Sequence, residues 1–595
     1  MNDRCCQQHD RDHYHERCLV APHPDLLKRL NADLAKAKGR SRTAFAQMLR
    51  VTRTKPVGMD DGVIYPGDHY PLGTTARVVR SGALERAPLR GTIRVVVVLV
   101  DFSDKPMTKS KKHFEELFFS TGVLPGGSVR DYFKDVSHGL IDVVGEVVGP
   151  FRLPKKLAEY AHGDSGTGSV EPNARTMAKH AADAANPTVN FAQYDNDGNG
   201  FVDAFIVLHA GSGGEQTGNV NDIWSHKWVL SGGAYNADGT KIYAYLTVPE
   251  DSKIGVCCHE LGHLLFGWPD LYDTDYSSQG LGNWCLMAGG SWNGGGDTPA
   301  HPSAWCKVNQ GWVSVVNQTT NQTMSIADVK TGHTVYRLWK DGAPGNEYFL
   351  VENRQKTGYD KLLPGGGLLV YHIDEAVSGN ANESHPQVAL LQADGQKHLE
   401  SGANRGDTGD PFPGSANNVT WNATSNPNTK SYGNVDTCVS VSNISSAGAV
   451  MTARLAVKCK TKEVKEGKEG KEIIKEKDRK EFKELKEQKE KDRKEFKEWK
   501  EFKEGKEFKE KDKDLVEWRR PGERSRATQM GGLEERVANL EAVVQSLEPF
   551  ITGDLRPDLR ESALAAEPDC DEVQARMREG AAEAKRHFDT KVREV

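Results

Sequence analysis

The stretch CCHELGHLLFGWPDLYD, Cys257 to Asp273, is the most informative part of this chain. It contains His259, Glu260 and His263 in the pattern HExxH. Two histidines four residues apart share one face of a helix, and neutral imidazoles suit Zn²⁺. A glutamate between them can take a proton from a metal-activated water. The pattern predicts a catalytic zinc site if its surroundings fit. The alternative is a helix whose histidines are merely packed.

The surrounding residues favour the metal site. SKIGVCCHELGHLLF (252–266) predicts a helix. Its buried stripe is expected to contain Ile254, Cys257, Leu261 and Leu264. Gly267 can end this helix in a left-handed turn, and Pro269 prevents the chain from resuming it. Asp270 follows at once, with an oxygen suited to be the third protein ligand that a catalytic zinc requires.

A second motif, NWCLMAGGSW (283–292), predicts a tight turn of small residues around Met287. With PDLYD (269–273) and LMAGGSW (286–292), the chain resembles the metzincin-like metallopeptidases of the immune inhibitor A family. The resemblance covers roughly residues 90–455. It continues through RVVVVLVDFSDKP (94–106), DYFKDVSHGLIDVVGEVVG (131–149), YDNDGNGFVDAFIVLHAG (194–211) and PSAWCKVNQGW (302–312). One departure is that Gly267 lies four positions after His263, where the family pattern has three. The loop to Asp270 is therefore one residue longer.

The motifs and the resemblance together predict a zinc-dependent endopeptidase that hydrolyses peptide bonds in proteins. His259, His263 and Asp270 are the expected zinc ligands, and Glu260 is the expected general base. By resemblance, Met287 forms an apolar floor under the metal. The alternative is a catalytically silent binding or scaffold protein that displays this fold on a helical stalk. The intact Glu260 argues against that alternative, whereas the longer loop before Asp270 is the feature that favours it.

A second cation site is predicted upstream, with calcium as a structural cofactor. Asp195, Asp197, Asn199, Phe201 and Asp203 match the start of an EF-type loop, in which oxygens at alternate positions surround one hard cation. The twelfth position holds no glutamate, so the closing ligand would have to come from elsewhere. The alternative is a turn stabilised by its own Asx side chains.

Composition argues against nucleic-acid binding and against a membrane span. The chain has 595 residues and a formal net charge of −6, with no nucleic-acid signature and no apolar run of membrane-span length. Its polar N-terminus has no apolar core, so no signal peptide is visible. The family resemblance nevertheless implies an extracellular, secreted protein. Of the ten cysteines, Cys438 and Cys459 are the pair we expect first to form a disulfide.

Residues 1–90 are predicted to be a region like a pro-segment, as in a zymogen, with one helix at 24–37. Cys18 lies in this region, and its thiolate could block the open zinc position. An ordinary thiol in a mobile tail is the interpretation favoured by a single cysteine. Buried strands and helices mix over 91–315, which predicts an α/β (α+β), metzincin-like catalytic domain. Short strands between Gly, Pro and Asn turns predict a β-rich, sandwich-like domain at 316–458.

The remainder of the chain is predicted to be a charged helical and coiled-coil tail. A low-complexity Lys/Glu tract at 459–530 has the pattern of a solvated helical spacer. Apolar residues in 4-3 spacing from Leu533 to Leu547 predict a short coiled coil at 531–549, through which a homo-oligomer could form. Residues 550–595 form a polar tail without an assigned function.

Overall fold

The structure is a computed structural model that describes residues 18–36, 63–71, 73–75, 78–79 and 82–459. The predicted spacer, coiled coil and polar tail lie outside the described residues from position 460 onward. The oligomer contact from Leu533 to Leu547 therefore stays a prediction. In the described part of the chain, no helix is long and apolar enough to cross a membrane.

The secondary structure of the described residues mixes helices and strands along the whole length. The strands are β1 (Cys18–Leu19), β2 (Gly91–Asp101), β3 (Ile141–Arg152), β4 (Phe205–His209), β5 (His226–Val229), β6 (Tyr235–Ala237), β7 (Thr240–Ile242), β8 (Ala244–Pro249), β9 (Ser314–Asn317), β10 (Gln322–Ala327), β11 (Thr334–Leu338), β12 (Glu347–Arg354), β13 (Gly367–Asp374), β14 (Val388–Leu390), β15 (Ser440–Ser442) and β16 (Val450–Ala456). The α-helices are α1 (Pro24–Lys36), α2 (Gly82–Glu85), α3 (Lys111–Phe119), α4 (Val129–Val136), α5 (Leu157–Ala161), α6 (Ala174–Ala185), α7 (Gly214–Thr217), α8 (Ile254–Phe266), α9 (Ala304–Asn309) and α10 (Val329–Gly332). Short 3₁₀ helices lie at Gly67–His69, Phe191–Tyr194, Gly282–Trp284, Gly289–Gly296, Lys340–Gly342 and Gly358–Leu362. The mixed α/β class predicted from the sequence is confirmed.

A six-stranded sheet in the order β1-β5-β8-β4-β2-β3 organises the first half of the described chain. Strands β2, β3, β4 and β8 are parallel, whereas β5 runs antiparallel to β8 and β1 antiparallel to β5. The continuous apolar run RVVVVLVDF (94–102) predicts a strand buried on both faces, and all but its last residue lie in β2, whose last seven residues are all buried. Parallel strands are covered on both faces, which explains why this run is continuous and not alternating.

Element boundaries differ from the sequence prediction where side chains bond to the backbone. The sequence VEPNARTMAKHAADAA (170–185) predicts a helix. The helix begins instead at Ala174, because the Asn173 side chain accepts the backbone N–H groups of Arg175 and Thr176. The sequence KIYAYLTVPE (241–250) predicts one strand, but the structure divides this stretch into β7 and β8, of which β8 runs in the central sheet. Only three residues then separate β8 from Lys253, the N-cap of α8.

The second half of the described chain contains a five-stranded sheet, β14-β13-β12-β11-β9, and a three-stranded sheet, β10-β16-β15. The two sheets share one apolar core, as the sandwich-like prediction expects. The opposite face of the five-stranded sheet packs on the main core through residues such as Leu350, Leu369 and Tyr371. Both of its faces are therefore covered, which is why all eight residues of β13 are buried. Cys438 and Cys459 are joined by a disulfide, so the pair expected from the sequence is confirmed.

A buried ionic network connects this second region to the turn that contains Met287. Arg354 donates through Nη1 to the Trp284 carbonyl at 2.8 Å and pairs through Nη2 with Asp360 at 2.5 Å. Lys307 of α9 pairs with Glu352 of β12 at 2.9 Å. Burial alone would raise the pKa of Asp360, but the Arg354 guanidinium holds it well below its usual range. The charges are paired and hydrogen-bonded, which is the condition under which buried ions are tolerated.

Candidate metal and catalytic site

The helix predicted around the HExxH pattern is α8, and every one of its residues is buried. It ends at Gly267, which adopts the left-handed conformation at φ 65°. The Gly267 N–H closes the helix by bonding to the Gly262 and His263 carbonyls. This is the glycine stop expected from the sequence. A Cβ atom added at Gly267 would also lie only 2.5 Å from the Cβ of Ala83, which is a collision.

The chain beyond Gly267 returns Asp270 to the histidines. Asp270 Oδ1 lies 3.1 Å from His259 Nε2 and 3.3 Å from His263 Nε2. The two Nε2 atoms are 3.1 Å apart. Ligand bonds of about 2.0–2.1 Å in a tetrahedral arrangement separate their donor atoms by roughly 3.3 Å. The three predicted ligand atoms therefore have the mutual spacing that a tetrahedral zinc requires, despite the longer loop before Asp270.

The second nitrogen of each imidazole is held by a backbone carbonyl. His259 Nδ1 is 3.0 Å from the Leu286 oxygen, and His263 Nδ1 is 2.5 Å from the Trp268 oxygen. A nitrogen facing a carbonyl must carry the proton, so both Nε2 atoms present lone pairs to one another and to Asp270. Burial lowers the pKa of His259, which favours the neutral form that binds metals. The donor set thus fits Zn²⁺ in chemistry as well as in spacing.

Met287 packs against this helix at Gly262, the residue directly before His263. A Cβ added to Gly262 would lie only 2.6 Å from the Met287 sulfur. The Met287 carbonyl also accepts the Leu271 N–H at 2.7 Å, next to Asp270. The turn therefore touches both the helix and the loop that supply the three candidate ligands. Glu260 is fully buried in the same turn of the helix as His259.

The N-terminal segment lies on the edge of the sheet, beside this site. Strand β1 pairs with β5, and Leu19, Val20 and Ala21 are all buried. Their three successive carbonyls accept hydrogen bonds of 2.7 Å from Tyr272 Oη, Trp224 Nε1 and Trp292 Nε1, respectively. The Cys18 backbone pairs with Lys227, but its side chain lies outside the described residues, so its role as a latency thiol stays a hypothesis.

The predicted calcium loop is only partly assembled. Oxygen atoms of Asp195, Asp197 and Asp203 lie within 4.8 Å of one another. Asn199 is engaged otherwise, because its Oδ1 accepts the Phe201 N–H at 2.9 Å. Its Nδ2 donates to a tyrosine hydroxyl at 2.9 Å. Asp203 also pairs with a residue that the motif did not anticipate, Arg86, at 3.0 Å.

Comparison with known proteins agrees with this geometry. Residues 88–316 match the family model described as immune inhibitor A peptidase M6, catalytic domain. The chain is 34% identical over 274 residues to the pre-pro-metalloprotease PrtV of Vibrio cholerae serotype O1 (strain M66-2), a match covering 36% of this chain and 29% of that protein. It is 28% identical over 306 residues to immune inhibitor A of Bacillus thuringiensis subsp. alesti, covering 41% of this chain and 44% of that protein.

The class defined by fold, site and comparison is that of a metalloendopeptidase catalytic domain. The resemblance to the immune inhibitor A family that was expected from the sequence is confirmed for this part of the chain. The matched segments span less than half the length of these two relatives. Activity and substrates of the whole protein are therefore matters for proposal.

Two groups of residues around the site escaped the sequence analysis. The carbonyls of Leu286 and Trp268 hold the histidines, but a backbone oxygen leaves no signature in a motif. The side-chain donors Tyr272 and Trp292 do lie within the quoted motifs PDLYD and LMAGGSW. The hydroxyl of Tyr272 and the indole N–H of Trp292 were the signal available in the sequence, because a buried Tyr or Trp usually has a hydrogen-bond partner.

The contact between Gly262 and Met287 generates a prediction whose sign opposes helix propensity. Alanine at an inner helix position is normally favoured over glycine by about 1 kcal/mol. Gly262→Ala should instead lower the free energy of unfolding by about 1–3 kcal/mol, because the methyl group overpacks the Met287 sulfur. Urea unfolding measures the change, and bound zinc should fall with it. The control is a double-mutant cycle with Met287→Ala: Gly262→Ala should cost less in the Met287→Ala background than in the wild type, because the overpacked side chain is absent there. If Gly262→Ala unfolded at a higher urea concentration than the wild type, the close contact between Gly262 and the Met287 sulfur would be contradicted.

Proposed function

We propose that this protein is a zinc-dependent endopeptidase that hydrolyses peptide bonds in proteins. The observation that carries the proposal is the buried group of His259, His263 and Asp270, whose donor atoms lie 3.1–3.3 Å apart in the segment that matches the peptidase family. Glu260 lies in the HExxH position next to the first ligand.

His259, His263 and Asp270 would hold the metal, leaving one position open for water and substrate. When bound there, zinc supplies Lewis acidity that activates water and polarises the scissile carbonyl. Glu260 acts as the general base: its carboxylate takes the proton of the attacking water and later delivers it to the leaving amine nitrogen. The burial of Glu260 excludes bulk solvent from the site, and electrostatic interactions there are therefore stronger than in water.

The alternative is a silent scaffold that retains the fold. Its sequence argument was the extra residue before Asp270, which could have displaced the third ligand. The spacing of Asp270 from both histidines supports the enzyme instead, because the longer loop still delivers the carboxylate oxygen. The Lys/Glu tract and coiled-coil seam on which a stalk would depend lie outside the described residues.

The N-terminal segment supports a zymogen-like latency. Residues 19–21 form an extended, buried stretch beside the metal ligands, and their carbonyls already occupy three side-chain donors of the cleft. Extended peptides bind at sheet edges through such main-chain hydrogen bonds. We therefore infer that this segment competes with substrate, whether or not the Cys18 thiolate also reaches the metal.

An extracellular location and a structural calcium complete the proposal. The disulfide Cys438–Cys459 is typical of an oxidising compartment, and one relative is named a pre-pro-metalloprotease. Asp195, Asp197 and Asp203 bring three carboxylates together with a single guanidinium, Arg86, in contact with one of them. That excess of negative charge is what a calcium ion would offset.

The paired variants Glu260→Gln and Asp270→Ala separate the base from the ligand. Glu260→Gln should keep zinc bound and lose about 10²–10⁴-fold in casein hydrolysis, because only the general base is removed. Asp270→Ala should lose the metal itself, because two imidazoles bind zinc weakly. Zinc content and casein cleavage are measured for both, with the wild type with and without chelator as the control. Substantial proteolysis by Glu260→Gln would rule out its assigned role.

Latency predicts that weakening the docked segment activates the full chain. Leu19→Gln combined with Val20→Gln buries two amides with no designed partners, which disfavours the docked state. Peptide hydrolysis by the full chain should rise roughly tenfold or more. Lys28→Gln is the matched control, since Lys28 is exposed on α1 of the same segment. An unchanged rate in the double variant, with its fold intact by circular dichroism, would exclude latency through these contacts.

Calcium binding predicts a stability difference. Calcium should raise the melting temperature of the wild type, because a ligand that binds only the native state stabilises it. The increase should disappear in the variant Asp195→Asn with Asp197→Asn. Differential scanning fluorimetry with calcium or a calcium-selective chelator measures both. Coincident wild-type curves would reduce the loop to an Asx turn that Arg86 neutralises.

A further inference from the structure

A cavity lies between the N-terminal segment and the body of the enzyme. Ala21 and Pro22 border it on one side, and Tyr272 and Tyr276 of the loop after Asp270 border it on another. Arg405, from the loop before strand β15, supplies the cationic group of the lining. The cavity therefore lies between the segment proposed to block the site and the loop that follows the candidate ligand Asp270.

Arg405 is fixed by the same turn that holds the first metal ligand. Its Nη2 donates to the Gly289 carbonyl at 2.9 Å. The guanidinium lies against the bare Gly289 backbone, where an added Cβ would be 2.1 Å from Nη2. Leu286, three residues earlier in the turn, presents its carbonyl to His259. The position of Arg405 relative to the reaction centre is thus set by one short stretch of backbone.

The charge of Arg405 is unmatched among the described residues. Its side chain makes the single hydrogen bond to Gly289, although a guanidinium has five N–H donors, and no described carboxylate lies within ion-pair distance. Asp273 borders the same cavity, but its carboxylate already accepts from Asp275 N–H, Ser277 Oγ and Ser278 N–H at 2.7–3.0 Å. Burial lowers the pKa of Arg405 to about 10, which leaves it cationic at neutral pH.

We propose that Arg405 is the specificity-determining residue of a substrate subsite that binds a carboxylate group. The inference rests on the proposed peptidase function and adds a substrate class, namely peptides with an acidic residue, or a free C-terminus, beside the scissile bond. The planar guanidinium matches a carboxylate in shape as well as charge. A partly buried, unpaired charge of this kind discriminates strongly between a charged partner and its neutral isostere.

The described residues of the N-terminal segment place no carboxylate beside Arg405. Ala21 and Pro22, which border the cavity, carry no charge, and Asp25 has 74% of its side chain exposed and pairs with Lys28 at 3.7 Å. The described residues of the segment therefore line the cavity without neutralising Arg405. An acidic substrate that displaces them would gain an ion pair that these residues do not make. This asymmetry favours exchange of the segment for an acidic peptide over exchange for a neutral one.

The experiment compares full-length chains that carry Leu19→Gln and Val20→Gln, with Arg405 intact, Arg405→Gln or Arg405→Glu. Arg454→Gln is the matched control, because Arg454 is exposed on β16. Peptides that differ only by Glu, Gln or Lys next to the scissile bond report the ratios of kcat/KM. A second set, with free or amidated C-termini, distinguishes a side-chain carboxylate from a terminal one.

With Arg405 intact, one carboxylate source should be preferred over its neutral counterpart by roughly tenfold to a hundredfold, as expected of hydrogen bonds to a charged group. Arg405→Gln should abolish that preference, Arg405→Glu should shift it toward Lys peptides, and Arg454→Gln should retain it. Equal ratios for the intact and Arg405→Gln proteins, or no preference in either peptide set, would overturn the subsite.

Binding decides the subsite even without turnover. Affinities of the same peptides for the zinc-loaded Glu260→Gln full chain, in the same Leu19→Gln and Val20→Gln background, should show the same preference and the same dependence on Arg405. A preference in binding without any hydrolysis by the chain that retains Glu260 would contradict the proposed peptidase function and leave the subsite supported. Hydrolysis with no preference in rate or binding would contradict the subsite alone.

Discussion

The contact between helix α8 and the turn around Met287 is the constraint on which the site depends. Gly262 has no side chain, so the Met287 sulfur can approach the helix between the two histidines. The same turn orients His259 through the Leu286 carbonyl, binds the loop of Asp270 through the Met287 carbonyl, and seats Arg405 on Gly289. One compact piece of backbone therefore sets the geometry of a candidate ligand, its neighbouring loop and a candidate specificity residue.

The edge of the central sheet is the place where the proposed latency and the proposed substrate binding would meet. An edge strand presents unpaired N–H and C=O groups, which recruit any extended chain. Here β1 of the same protein pairs with β5, and aromatic donors from three separate places bond to the carbonyls that follow. A peptide substrate offers the same extended backbone, so under the latency proposed above substrate and N-terminal segment would compete for the same hydrogen-bonding groups. Side-chain chemistry, above all at Arg405, then has to distinguish one occupant from another.

The second region is part of the catalytic architecture because it packs directly on it. Its five-stranded sheet has one face on the main core and the other on the three-stranded sheet. The buried pairs Arg354–Asp360 and Lys307–Glu352 reach from this sheet to Trp284 and to α9. Paired buried charges are costly to separate, so the two regions are held in one relative position. That rigidity allows Arg405, far along the chain, to lie beside the turn of Met287.

The sequence by itself determined those features that depend on local spacing. The 3.6-residue period placed His259 and His263 on one face of a helix, Gly267 ended that helix, and the continuous apolar run became a covered parallel strand. Only the tertiary structure decided where loops return. The tertiary structure places Asp270 beside His259 although the loop is one residue longer. It also pairs Asp203 with Arg86 and places Arg405 against Gly289. These contacts unite residues distant in sequence through backbone carbonyls and turn geometry, which no residue pattern encodes.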